Sequence, residues 1–270
     1  MKYPYLSDCH CHSNCSFDAD DPVNMLCENA IRQGLYALTV TDHCECNVYH
    51  QTGALSSIRQ SFLETKKAAA LFQGELRVLK GIELGQPLQN PSAAQEVLQA
   101  FPFDFVLASL HNLRGMPDFY FLDYTQIDVQ QLLTDYFQQV LEMARQADFD
   151  SLAHLSYPLR YAIGEYGLSI PSEPYAAQID AILQTLVERD KALEVNTSGL
   201  RQKIGETLPS FPVIRRFREL GGRYVTIGSD AHRWGDIGSG LEEGLARIRE
   251  AGFSSFAIFM ERNPHLLPIV

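Results

Sequence analysis

Residues 5–20 read YLSDCHCHSNCSFDAD. A short apolar run, Tyr5–Cys9, ends in two histidines, and three cysteines and three aspartates crowd into the same stretch. The run has the length and character of a buried strand. If the strand continues through His12, side chains alternate between its faces. Asp8, His10 and His12 then share one face, and Cys9 and Cys11 take the other as small buried hydrophobes. If the strand ends early, the two thiolates become zinc ligands instead.

Six further runs have the same form: Ala37–Val40, Arg77–Ile82, Phe105–Ser109, Ser151–Ala153, Ala192–Val195 and Tyr224–Ile227. Amphipathic stretches separate them. In the clearest, Asp128–Ala147, apolar residues including Leu132, Leu133, Tyr136, Phe137, Val140 and Leu141 recur at helical spacing. A second helix is expected to start with Asp21 as N-cap and Pro22 as first helical residue, and to end at a Gly34 C-cap. Alternating strands and helices imply a mainly parallel sheet. Seven such units without a linker or repeat predict one domain over residues 1–270. The expected form is a closed or nearly closed α/β barrel, with an open doubly wound sheet as the alternative. The tract Pro158–Pro174 lacks periodicity and is expected to be a loop over one end.

The formal net charge is -11, so a partnership with long nucleic acid is not expected. The one dense basic run, Arg215-Arg216-Phe217-Arg218, reads as a solvated helix face. No stretch of about 18 apolar residues is present, so no membrane span is expected. The N-terminus does not resemble a signal peptide. All six cysteines fall within the first 46 residues, and none forms a Cys-x-x-Cys pair. Reduced thiols in the cytoplasm are the expectation. Oligomeric state stays open.

The ends of the seven runs share one property. They are followed by His10 and His12, Asp42 and His43, Glu83, His111, His154, Glu194 and Asn196, and Asp230 and His232. The C-terminal strand ends of a parallel barrel open onto a single face. One histidine near a strand end is ordinary core or surface chemistry; six at equivalent places would converge on one pocket. Imidazole and carboxylate donors together suit divalent zinc, manganese or iron. They are too numerous for one tetrahedral ion, so two or three ions are expected, with Glu83 as bridging ligand. Asp18 either returns to this site or serves as a turn or capping residue.

In this order, the pieces His10-Cys11-His12-Ser13, Thr41-Asp42-His43, Gly81-Ile82-Glu83, Ser109-Leu110-His111, His154, Glu194-Val195-Asn196-Thr197-Ser198-Gly199 and Gly228-Ser229-Asp230-Ala231-His232 resemble the polymerase-and-histidinol-phosphatase (PHP) superfamily, in particular its stand-alone histidinol-phosphate phosphatase branch. The resemblance implies a distorted (β/α)7 barrel, TIM-like, with three metals at its C-terminal face, zinc, manganese or iron. It assigns His10, His12, Glu83 and Asp230 to a first ion, and Glu83, His111 and His154 to a second. His43, His232 and Asp18 fall to a third, and some members carry histidine where this chain has Asp18. The implied reaction is hydrolysis of a small phosphorylated metabolite by a hydroxide that bridges two metals. Histidinol phosphate is the first candidate; nucleotides, cyclic nucleotides or short oligonucleotides are the alternative, and a non-catalytic metal-binding regulator is another.

Arg160 and Arg201 lie on loops beyond the strand ends and are candidates to clamp the phosphate; the alternative for each is a surface charge. Asp118 is a candidate partner for a substrate amine, or simply a loop aspartate. Asp18 or His43 could relay the proton that the leaving alkoxide needs, with Asp42 orienting His43 or a neighbouring ligand.

Overall fold

The computed structural model describes residues 3–270. Its strands are β1 (Ser7–Cys11), β2 (Ala37–Val40), β3 (His43–Glu45), β4 (Arg77–Gly85), β5 (Phe105–Ser109), β6 (Ser151–Leu152), β7 (Ala192–Asn196), β8 (Val225–Gly228), β9 (Ser255–Met260) and β10 (Asn263–Pro268). The main helices are α1 (Val23–Arg32), α2 (Tyr49–Thr52), α3 (Ala54–Leu71), α4 (Pro91–Ala100), α5 (Val129–Gln146), α6 (Ala176–Glu188), α7 (Phe211–Glu219) and α8 (Leu241–Glu250).

The sheet runs β1-β2-β4-β5-β6-β7-β8, and every pair is parallel. It closes through one parallel bridge, Cys11 to Ala231, flanked by backbone bonds from Asp230 to His10 and from His12 to Ala231. Closure needs a glycine at the seam, because a Cβ on Gly228 would collide with the Cβ of His10. The result is a nearly closed, distorted (β/α)7 barrel, and the open-sheet alternative falls. Among the described residues, no helix is long and apolar enough to cross a membrane.

Four local expectations need correction. First, β1 carries one extra residue, because Asp8 pairs with Leu38 but Cys11 with Val40. The bulge breaks the alternation. Cys9 lies against the Ala257 carbonyl of β9, while Asp8 accepts bonds from Ser229 and Gly238. Second, α1 begins at Val23, not Pro22. Pro22 is extended, and the Asp21 carboxylate accepts from the Trp234 amide instead of capping the helix. Third, the tract after Pro158 is not all loop. Residues Arg160–Glu165 form a π-helical turn, and Glu173–Tyr175 a 3-10 turn. Fourth, β9 and β10 form an antiparallel hairpin outside the seven runs, although Phe256–Met260 is itself an unbroken apolar run. Phe256, Ala257, Ile258 and Phe259 of β9 are buried, and Phe259 stacks on Phe105.

Helix α5 follows its periodicity closely. The Asp128 side chain caps it by accepting from the Gln131 amide, and its apolar stripe is buried.

Candidate metal centre and phosphoester pocket

The second apolar run does not stop at Val40. After Thr41 and Asp42 the chain returns as β3 in unbroken register with β4: Val40 pairs with Lys80, and His43 with Glu83. The interrupted strand sets His43 beside Glu83. Two residues on, Glu45 stands opposite Gly85, where a Cβ would strike its carboxylate.

Glu83 is the hub. Its Oε1 lies 2.9 Å from His154 Nε2 and 3.1 Å from His111 Nε2. Its Oε2 lies 3.0 Å from His43 Nδ1, 3.3 Å from His10 Nε2 and 3.5 Å from His12 Nε2. One buried carboxylate thus serves two separate donor groups. Asp230 Oδ1 approaches His10 and His12 Nε2 at 3.7 and 3.5 Å. Asp18 Oδ2 lies 3.2 Å from His232 and 3.5 Å from His43, which places it at the site rather than in a turn alone. Three sets of donor atoms each fall within 4.8 Å: His10, His12 and Glu83; His43, Glu83 and His111; His12, His43 and His232.

Hydrogen bonds behind these rings fix their tautomers. His10 Nδ1 donates to Glu194 Oε1 at 2.6 Å. His12 Nδ1 donates to Ser16 Oγ, which spends its own proton on Asp42. His111 Nδ1 donates to Glu45 Oε1 at 2.9 Å. Each of these rings therefore turns Nε2 into the pocket, the nitrogen that a cation would take in place of a proton. The Nε2 atoms of His10 and His12 face each other at 3.1 Å, and those of His111 and His154 at 3.4 Å. Two ring nitrogens this close need a cation between them, a proton or a metal ion. Donor atoms bound to one tetrahedral ion at about 2.1 Å stand roughly 3.4 Å apart. The observed spacings therefore fit a metal.

The electrostatics agree. Burial would depress the His10 pKa, but Glu194, Glu83 and Asp230 outweigh it and raise it well above the ordinary value. Against the same burial, Glu45 and Glu83 push His111 up to about 10. Burial and the neighbouring His232 and His43 instead drive His12 well down. Burial works against the Glu83 charge, yet His10, His111 and His43 hold its carboxyl well below the usual range. The pocket is a sink for positive charge. Two of its members also sit in left-handed backbone, Asp230 at φ 53° and His154 at φ 21°. Such strain, about 1–3 kcal/mol per residue, gathers at functional sites.

Above the cluster is a cavity of about 470 Å³. Arg160, on the π-helical turn, lines it over the Tyr157 ring and donates to Ser198 Oγ and Asp230 Oδ2. Its Nε is buried with no partner. Asp118 also lines the cavity; its carboxylate accepts from the Tyr120 amide, and burial raises its pKa.

Two expected site residues stand elsewhere. Arg201 donates to the backbone carbonyls of Ser229 and Asp230 and does not line the cavity. It braces the turn that carries Asp230. Asp42 does not line the cavity either; its carboxylate accepts from the Ser13 amide and the hydroxyls of Ser13, Ser16 and Ser61. Through Ser16 it orients His12, the neighbouring-ligand alternative of the two expected for it, and not the His43 ring.

Sequence reasoning missed Glu45 and left Glu194 without a role. The spacing His43-x-Glu45 repeats the logic of His10-x-His12 and could have flagged Glu45 had the strand been extended past Val40. Tyr157 and Tyr161, whose hydroxyls bond at 2.8 Å, also line the cavity; the sequence pointed only to their loop, not to either residue.

A barrel whose strand ends gather imidazoles and carboxylates around one buried glutamate defines a metal-binding hydrolase-type site. The PHP domain profile matches residues 8–198, and the chain belongs to the PHP domain family. A probable histidinol-phosphatase of Clostridium acetobutylicum is 30% identical over 95% of this chain and 97% of its own. Another from Thermotoga maritima is 29% identical over 94% of this chain and 95% of its own. The crystal structure of histidinol phosphate phosphatase from Lactococcus lactis, complexed with zinc, L-histidinol and phosphate, superposes with a TM-score of 0.82. It is 24% identical and covers 97% of this chain and 99% of its own.

Proposed function

We propose that this chain is a metal-dependent phosphatase that hydrolyses L-histidinol phosphate to L-histidinol and phosphate in the cytoplasm. Two or three divalent ions, zinc foremost with manganese or iron as alternatives, would be held by His10, His12, Asp18, His43, Glu83, His111, His154, Asp230 and His232. The observation that carries the reading is the close facing of imidazole Nε2 atoms around Glu83 beneath Arg160. The full-length relatives named as histidinol-phosphatases support the choice of ester.

When bound, the ions supply an activated water and neutralise charge that builds on the phosphoryl group. The chain supplies the rest. Arg160 offers its unpartnered Nε to a phosphate oxygen, a charge-assisted bond in a largely buried setting. Asp118 faces the amine of the alcohol half across the cavity. Asp18 is held ionised by His232 and His43 even though burial opposes its charge. As a standing carboxylate between two imidazoles it would serve as a cation ligand, and its depressed pKa makes it a weak base for any proton relay to the leaving oxygen. Arg201 keeps the Asp230 turn in place.

The test is kcat/KM for histidinol phosphate, nucleoside monophosphates and an aryl phosphate after reconstitution with zinc, manganese or iron. Histidinol phosphate should lead by at least about tenfold. Equal rates across the panel, or a nucleotide preference, would overturn the choice of substrate. Bound metal without phosphate release would make the chain a regulator.

A further inference from the structure

A second cavity of about 740 Å³ adjoins the first and shares four walls with it: Phe17, His43, Asp118 and Phe121. Beyond Ser16, His43 and Glu45 of the metal side, its walls come from α2, the start of α3 and the segment that carries Met116. Its remaining walls include Cys15, Val48, Thr52, Ala54, Ser57 and Met116. No lysine or arginine lines it, and its charged members besides His43 are the carboxylates of Glu45 and Asp118. Away from His43 a phosphate thus meets no cationic side chain there, whereas a cationic group meets two carboxylates. Two shared residues, Phe17 and Phe121, are 76% and 72% exposed, unusual for phenylalanine. Phe17 already stacks on His43 at 5.1 Å. Aromatic faces left open at the junction of two cavities suit a planar ligand passing between them.

The first cavity alone is of a size to hold a small phosphate ester. The second adds room that such an ester does not fill. We propose that the enzyme also hydrolyses phosphate monoesters of longer alcohols, whose neutral or cationic aromatic extension passes Phe17 and Phe121 into the second cavity. The chemistry is unchanged: water forms the new P–O bond, the P–O bond to the alcohol breaks, and the alkoxide leaves protonated. The inference takes its reaction from the phosphatase reading, but the cavity stands without it.

The protein carries its own reporter. Cys15 lines this cavity, and the other five cysteines are buried. A small thiosulfonate reagent should label Cys15, identified by loss of the label in Cys15→Ser. In the metal-loaded full chain, saturating biphenylmethyl phosphate should slow labelling at least about fivefold, and benzyl phosphate should not. Kinetics give the second readout, which decides if Cys15 labels too slowly to follow. Ser57 is exposed on α3 and belongs to none of the catalytic groups. Ser57→Trp should lower kcat/KM for biphenylmethyl phosphate about tenfold or more and leave benzyl phosphate within about twofold, as expected for a filled cavity. A carboxylated biphenylmethyl ester should be a poor substrate of the unmodified enzyme. Unchanged Cys15 labelling, or equal effects of Ser57→Trp on long and short esters, overturns the proposal. If no ester releases phosphate but biphenylmethyl phosphate still protects Cys15, the phosphatase reading falls and the cavity assignment stands.

Discussion

The two ends of the barrel both bury carboxylates, and they treat them in opposite ways. At the end closed by the β9–β10 hairpin, Asp104 accepts from the Lys80 and Glu261 amides and pairs with Lys80 Nζ at 2.9 Å. Asp150 accepts from the Val106 amide and from Arg262 Nε, while Arg262 also reaches Asp148. Each charge there meets a donor inside the chain. At the other end, Glu83 meets only a ring of imidazole nitrogens, Asp230 is shared between Arg160 and two imidazoles, and Arg160 Nε and His154 Nδ1 have no partner. A buried charge that the fold satisfies is structure. A buried charge that the fold leaves waiting for a cation is a site.

The comparison breaks or holds first at Glu83. Glu83→Gln keeps the shape and removes the charge that two donor groups share. Phosphate release should fall by about 10³-fold, the scale of a lost transition-state charge clamp. Metal content by elemental analysis should fall with it. Full metal content and turnover in this variant would remove Glu83 from the centre of the site.

At the opposite end the same kind of change should touch stability alone. Arg262→Ala leaves Asp150 buried without its guanidinium and should cost about 3 kcal/mol in denaturant unfolding. The kcat/KM of the folded, metal-loaded protein should not move. A loss of activity at matched folding would mean that the two ends are coupled.

Between these lies Arg160, which belongs to the site yet is partly satisfied by Ser198 and Asp230. Arg160→Ala should raise KM for phosphate esters about 10–100-fold, the value of a charged hydrogen bond, with a smaller effect on metal content. An unchanged KM would leave Arg160 as a brace for Asp230.

Much of the open end is readable in the chain because each of its polar residues closes an apolar run. His10, Glu83, His154 and Asp230 are placed side by side by nothing more than strand order and direction. Glu45 escapes because Thr41 and Asp42 interrupt its strand before it resumes in register. Arg201 misleads because a loop position tells nothing of where a long side chain finds its partners. The closed end is harder still. The hairpin turn uses Glu261 and Arg262 at φ 50° and 65°, where an Asn-Gly pair would have signalled it. Pro264 and Pro268 argue against a strand, and are tolerated because β10 is an edge with one partner. Tautomers leave no trace in sequence at all, since they depend on which oxygen the fold brings behind each ring.

That last dependence gives the smallest and most discriminating effect. Ser16 accepts from His12 Nδ1 and donates to Asp42, so it holds the proton on the far side of the ring. Ser16→Ala removes this acceptor, and with it the acceptor of the His43 amide, but leaves every metal-donor atom in place. The His12 proton is then free to move to Nε2, where it competes with a cation. Metal affinity should fall about tenfold, at the low end for a lost ligand-orienting bond, and activity should return at higher metal concentration. A packing role for Ser16 would lower stability instead and give no such recovery. The two readouts separate a residue that supports the fold from one that keeps a lone pair aimed at the open end.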